Sequence, residues 1–334
     1  MITAPTMRAL VLEQYNTPFT LRDIARPIAA DGQVLVRIQA SGVNPLDTKI
    51  RSGNAAHART TLPAVLGMDL AGTIEAVGPG TTGWRVGDAV YGMAGGVGGV
   101  QGSLAEFAAA DADLLAKKPA NFSMREAAAL PLIFITAWEG LVDRAHLSAG
   151  QKVLVHGGAG GVGHMAIQIA VAMGAEVYAT GSAQQKETIE GLGATAIDYQ
   201  ATTVEQYLAQ HTGGEGFDIV YDTVGGATLD ASFAAARTYQ GHVVSCLGWG
   251  THKLAPLSFR AATYSGVFTL LPLLTGQGRA HHGEIMREAT RLAEGGKLKV
   301  LLDDRHFTLE NATDAHVAIE TGTARGKLVV DVAA

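Results

Sequence analysis

Residues 155–164 read VHGGAGGVGH. Gly158, Gly160 and Gly163 satisfy G-x-G-x-x-G. The pattern follows the apolar run KVLVH and opens the helix-like run HMAIQIAVAMG. In that setting the first glycine permits a sharp turn and the second a close backbone approach to a pyrophosphate. The third lets helix and strand pack together. Unpaired N–H groups at the helix start then face the anion. A glycine-rich turn without a ligand is the plainer reading. The next hundred residues argue against it. The apolar runs AEVYATG, ATAIDY, FDIVYDTV and HVVSCLG alternate with the helical patterns QQKETIEGL, VEQYLAQHTG and LDASFAAARTY. Such alternation predicts a parallel sheet with helices on both faces, an α/β doubly wound domain.

The residues before it have a different grammar. MRALVLEQ, QVLVRIQASGVN, VLGMDLAGTIEAVG and VGDAVYGM read as strands, with one short helix in PLDTKIRSG. MREAAALPLIFITAWEGLVDRA (124–145) reads as one buried helix, with Ser123 as N-cap and Glu126 at capping-box spacing. The tail predicts a long helix in GEIMREATRLAEGG, a strand in KLKVLL, a further helix and a strand in KLVVDV. The expected layout is a doubly wound domain, 123–270, inserted in a β-rich domain made from 1–122 and 271–334.

Composition limits the partners. The 334 residues are 47% hydrophobic and 17% charged, with a net charge of −6 and no basic block. A soluble packed protein is expected, and nucleic acid is disfavoured as a partner. The start MITAPTMRAL lacks a signal-peptide pattern, and the apolar run 127–138 is too short to span a bilayer. These features point to the cytoplasm. Cys246 is the only cysteine, so it forms no intrachain disulfide and no cysteine-built zinc site. Its plain reading is a small buried apolar residue. His281, His282 and Glu284 suggest a metal at first sight, but adjacent histidines on a helix do not face one site. No metal is expected.

The dinucleotide is predicted to be NADPH. An NAD site places an acid at the end of the second strand, about 20 residues past the glycine loop. Here that strand ends in Gly181-Ser182. Ser182 can donate to a phosphate, and Lys186 lies within reach as a cation; a solvated lysine is its plainer role.

With ASGVNPLDTKIRSG (40–53), LGMDLAGTIEAVG (66–78), ITAWEGL (135–141), VHGGAGGVG (155–163), AIDY (196–199), FDIVYDTVGG (217–226) and GKLVV (326–330) in view, the sequence resembles the medium-chain dehydrogenase/reductase superfamily. More narrowly, it is similar to the zinc-independent, zeta-crystallin-like branch of quinone oxidoreductases and enone reductases. The resemblance implies a Rossmann domain inserted in a GroES-like domain. It implies hydride transfer from NADPH to a quinone or to the activated C=C bond of an α,β-unsaturated carbonyl. Zinc-dependent relatives hold a metal with Cys, His and Cys or an acid. Here Asn44 takes the first ligand position, and Gly67-Met68-Asp69 replaces Gly-His-Glu.

By that resemblance the catalytic candidates are Asn44 and Lys49, either of which can donate to a developing oxyanion. Asn44 can equally bond its own backbone ahead of Pro45. Lys49 can donate to the enolate oxygen or the nicotinamide ribose, or can be a surface lysine. Asp47 is expected to cap or pair locally, and Asp69 to bond structurally or help place Lys49. To the loop residues Gly158, Ala159, Gly160, Gly161, Val162 and Gly163 and to Ser182 and Lys186, read from the motif, the resemblance adds Thr136, Tyr199, Leu247, Gly248, Phe268 and Lys327 as cofactor-lining residues. It also places the glycine-rich segment 93–103, expected to be flexible, beside the substrate cleft, with Trp249, His252 and Tyr264 as further candidates. The apolar GVFTLLPLL segment suggests a homodimer edge. Two other readings stand beside the reductase: a non-catalytic NADPH-binding protein of sensor or crystallin type, and an alcohol dehydrogenase with an unusual metal.

Overall fold

The strand Lys152–His156 runs into the glycine loop, and Gly161–Ala172 leaves it as a helix. This pair lies at the centre of a six-stranded parallel sheet in the computed structural model, which describes residues 5–332. Outward on one side lie Glu176–Gly181 and Thr195–Asp198; on the other lie Ile219–Asp222, His242–Ser245 and Thr263–Gly266. The strand order reverses at Lys152–His156, so the glycine loop sits at a switch point where strand ends leave a crevice. One part of the core is built by Leu154, Tyr178, Phe217, Val220, Phe233 and Val243, each buried.

The chain divides after Leu132 and before Leu270: Ile133–Thr269 form one unit and the flanking segments the other. In the flanking unit, Gln33–Val43 is the organising strand. It pairs antiparallel with Asp69–Val77, Phe107–Asp111 and the C-terminal strand Leu328–Asp331. That last pairing sets Leu328 opposite Val43 and so brings the tail to the start of the helix Pro45–Arg51. A smaller three-stranded sheet is built on Thr6–Leu12.

The structure alters several expectations. The single helix over 124–145 is three pieces: Met124–Ala129, Pro131–Trp138 and a π-helical turn over Glu139–Arg144. Pro131 has no N–H to give the preceding turn, which explains the break. Ser123 caps as its position predicts, accepting from Glu126 N at 3.2 Å. The strand predicted in KLKVLL is absent apart from a bridge between Leu302 and Lys327. Phe307–Thr308 and Gln33–Val43 already occupy the two sides of Leu328–Asp331. Segment 93–103 is stitched down rather than loose. Gly96 N donates to Val100 O, Gly98 N to Ala58 O and Gly102 N to Val65 O. A Cβ on Gly95 would stand 2.0 Å from Gln101 O, so a close backbone approach requires that glycine.

Candidate active site

In the parallel-sheet unit the glycine loop is defined by what it excludes. A Cβ on Gly163 would lie 2.1 Å from Gly157 O, and one on Gly158 would lie 2.6 Å from Ala179 Cβ. The first contact seals the loop onto its own helix; the second presses it onto the neighbouring strand. Gly160 is the N-cap and has no side chain, so the first N–H groups of the helix, on Gly161, Val162 and Gly163, receive no side-chain cap. Ala159 lies between Gly158 and that cap. An uncapped twelve-residue helix start at a switch point fits a dinucleotide pyrophosphate.

Other predicted cofactor residues fall on the same sheet's carboxyl-end loops. Ser182 follows Glu176–Gly181, and its N–H donates to Gln185 Oε1 at 3.0 Å. Lys186 is exposed, with Nζ 3.8 Å from Glu190. Tyr199 is 58% exposed, and its N–H donates to Gly181 O. These residues lie near one pair of strand ends, where Gly181 pairs with Asp198. No acid ends the second strand; Asp198 ends the third, where it accepts from Gln200 N at 3.0 Å.

Leu247 and Gly248 follow His242–Ser245. Their turn is held by Asp222, a residue that motif reading alone does not single out. Its Oδ2 accepts from Ser245 Oγ at 2.7 Å, and its Oδ1 accepts from Val224 N and Gly225 N. One buried carboxylate thereby fixes two adjacent strand-end loops. The signal for it is an acid closing an apolar strand three residues before a Gly-Gly turn. Thr136 is buried, with Oγ1 2.9 Å from Thr269 Oγ1, and its carbonyl accepts from Tyr221 OH at 2.6 Å. Phe268 meets Trp249 edge-on at 6.2 Å, and His252 pairs with Asp230 at 3.0 Å. Cys246 is half-buried; its thiol is pushed up to about 12 by burial, beside Asp222.

In the flanking unit, four polar side chains converge with almost no exposure: Asn44, Asp47, Asp69 and Lys327. Lys327 Nζ donates to Val43 O at 2.9 Å and to Asn44 Oδ1 at 2.5 Å. Asn44 Nδ2 donates to Asp69 Oδ2 at 2.8 Å, and Leu132 N–H donates to Asp69 Oδ1. Asn44 N–H donates to Asp47 Oδ2 at 2.9 Å, so Asp47 caps locally as expected. Burial raises both carboxyls, Asp47 to about 7 and Asp69 to about 6. Burial also lowers Lys327, while the two acids oppose that shift. Lys327 and Asn44 thus spend their polar groups on each other and on Asp69. Lys49, one turn along the same helix, is exposed.

The flanking unit does not present a zinc set. Met68 is buried and brings a thioether, Asn44 an amide, and a lysine ammonium already sits on that amide. Among the described residues no group of three His, Cys, Asp or Glu side chains could hold a metal. His281 pairs with Glu284 at 3.1 Å while His282 is buried, so the two histidines diverge.

Comparison with known proteins agrees with this architecture. Residues 30–120 match the alcohol dehydrogenase GroES-like domain, and residues 192–330 match the zinc-binding dehydrogenase family. The chain belongs to the medium-chain dehydrogenase/reductase superfamily, in its branch of quinone oxidoreductases and enone reductases, and is a nicotinamide-dependent oxidoreductase. The 2-methylene-furan-3-one reductase of Solanum lycopersicum is 36% identical over 97% of this chain and 79% of that relative. The quinone oxidoreductase of Homo sapiens is 30% identical over 97% of each. The crystal structure of an alcohol dehydrogenase superfamily protein from Novosphingobium aromaticivorans superposes with a TM-score of 0.96 at 59% identity, covering 98% of this chain and 100% of that one. No helix among the described residues is long and apolar enough to cross a membrane.

Proposed function

We propose that this protein is an NADPH-dependent reductase of quinones or of the activated C=C bond of α,β-unsaturated carbonyls, and that it works without zinc. The observation that carries the reading is the helix start at Gly160, which no side chain caps, and, in the flanking unit, an Asn44 amide already bonded by the Lys327 ammonium. When bound, the dinucleotide supplies a hydride to an electron-poor carbon, and negative charge then gathers on the acceptor's oxygen.

The chain's own part is binding and charge stabilisation. The N–H groups of Gly161, Val162 and Gly163 hold the pyrophosphate, while Gly158, Ala159 and Gly160 keep the approach clear. Ser182, Lys186 and Tyr199 receive the 2′-phosphate, and the missing acid at Gly181-Ser182 supports that preference over NADH. Thr136, Leu247, Gly248 and Phe268 border the nicotinamide half. Lys49 is the side chain that donates to the developing oxyanion. A well-placed donor of this kind contributes about 3 kcal/mol to the barrier. Asn44 acts from behind it: with Oδ1 on Lys327 and Nδ2 on Asp69, its amide supports the helix that carries Lys49.

The edge strand Thr263–Gly266 pairs with His242–Ser245 alone among the described strands, and residues 261–278 carry no Asp, Glu, Lys or Arg. An uncharged open edge supports a homodimer paired through this strand. Sedimentation velocity showing a monomer at micromolar concentration would remove that part.

The test of the whole is oxidation of NADPH and NADH against matched quinones, 2-enones, enals and enoyl thioesters. Turnover with NADPH and a quinone or enone is expected. NADPH binding without turnover on any acceptor would favour the non-catalytic reading, and chelator-sensitive alcohol oxidation would favour the metal-dependent one.

A further inference from the structure

The lysine at the end of the chain reaches the first turn of a helix 283 residues away in sequence. Register alone delivers it: Leu328 pairs with Val43, so Lys327 arrives beside Asn44. The orientation of the Asn44 amide is then fixed by its partners. An ammonium only donates and a carboxylate only accepts, so Oδ1 must face Lys327 and Nδ2 must face Asp69.

We propose that the Lys327 ammonium is the resident cation of this cluster and that it is a positioning residue. It clamps Asn44, and through Asn44 it holds the helix Pro45–Arg51 that presents Lys49. The proposal rests on the donor role proposed for Lys49.

Three features carry it. First, the cluster is a cation site built from oxygens. Val43 O and Asn44 Oδ1 accept from Nζ, and Asp69 accepts from the same Asn44 amide. Without the ammonium, Asn44 Oδ1 and Val43 O would lose their shared buried donor. Second, the clamp grips the helix at its start on both backbone and side chain, because Asn44 N–H also donates to Asp47 Oδ2. A displaced Asn44 therefore moves the first turn. Third, the other charged tie on the helix lies at its far end. Arg51 is turned to Glu320 at 2.8 Å on the helix Ala312–Glu320, whose His316 is buried and kept neutral by burial beside Arg51. Lys49 itself is exposed.

The experiment uses the full chain and chemical rescue. In Lys327→Ala, kcat with NADPH and a competent acceptor should fall about tenfold or more, with the Kd for NADPH unchanged by fluorescence titration. Methylammonium should restore kcat and raise the thermal midpoint of this variant. Tetramethylammonium, which has no N–H, should do neither. Lys327→Met keeps the length and packing of the stem, so it should lose less stability than Lys327→Ala, lose kcat equally and resist rescue. In a Lys49→Ala background, Lys327→Ala should add no further loss, since both changes act through one helix. Full activity of Lys327→Met, equal rescue by the two amines, additive losses, or a defect confined to NADPH affinity would each overturn the proposal. Wild-type turnover of Lys49→Ala would instead overturn the donor role, and methylammonium rescue of the midpoint would then still support the clamp.

Discussion

Around residues 157–163 the chain keeps side chains out, whereas around Asn44 it drives four polar ones in. The glycine loop has a Cβ distance of 2.1 Å at Gly163, so hydrogen is the only side chain that fits. The cluster has Asn44 and Asp69 at 0% exposure, so every polar atom there needs a partner inside the protein. One region leaves N–H groups unpaired for a ligand; the other spends almost all it has on itself. The difference teaches where each tolerates change. The loop depends on shape and fails by steric overlap. The cluster depends on charge balance and fails when one member is removed.

The sharpest way to break this contrast is Asn44→Leu. It fills similar space but leaves Lys327 and Asp69 buried without their shared partner. Removing one member of a buried charged set costs about 3–5 kcal/mol, so urea denaturation should show a large loss. A loss under about 1 kcal/mol would mean that the cluster is not tightly coupled. Next comes Gly163→Ala, whose new methyl meets backbone rather than a movable side chain. About 1–3 kcal/mol of stability should go, and NADPH affinity with it, by titration on the folded fraction. Unchanged binding would mean the loop is roomier than its geometry indicates.

A smaller effect sharpens the charge side. Asp47 has its carboxyl raised from an ordinary 3.8 to about 7. The folded state therefore holds a proton that the unfolded chain gives up first. Stability from this group is greatest at low pH and falls as pH rises from 3.8 toward 7. Asp47→Asn should flatten the stability profile across that window in denaturation series. An unchanged profile would assign the slope to other groups. The smallest effect is expected at Lys186, which is exposed. Lys186→Ala should weaken NADPH by about 1 kcal/mol or less while leaving NADH unchanged, read as the ratio of their Kd values. An equal effect on both would remove Lys186 from the 2′-phosphate.

The two regions also differ in how much of them the sequence discloses. The loop is contiguous: strand, glycines and helix stand in one run, and steric need maps onto residue type one position at a time. The parallel sheet is legible through the same local alternation. The cluster joins residues 44, 47, 69 and 327, and nothing near Lys327 indicates that it is buried. Sheet register places it there, and register is a long-range property. For the same reason the sequence of segment 93–103 suggests a looseness that the structure lacks. Glycine serves flexible loops and close backbone approaches alike, and only the neighbours at Gln101 and Leu66 distinguish them. Pro131 is visible in the sequence, but the apolar run around it conceals the break in the helix.

The most direct measurement follows the hydrogen itself. The protein is incubated with NADPH deuterated at C4 and a simple 2-enone, with and without a chelator, and the product is read by NMR. The account predicts one deuterium at the carbon β to the carbonyl, in equal yield in both samples. Reduced product without deuterium at that carbon, or loss of product on chelation, would contradict it.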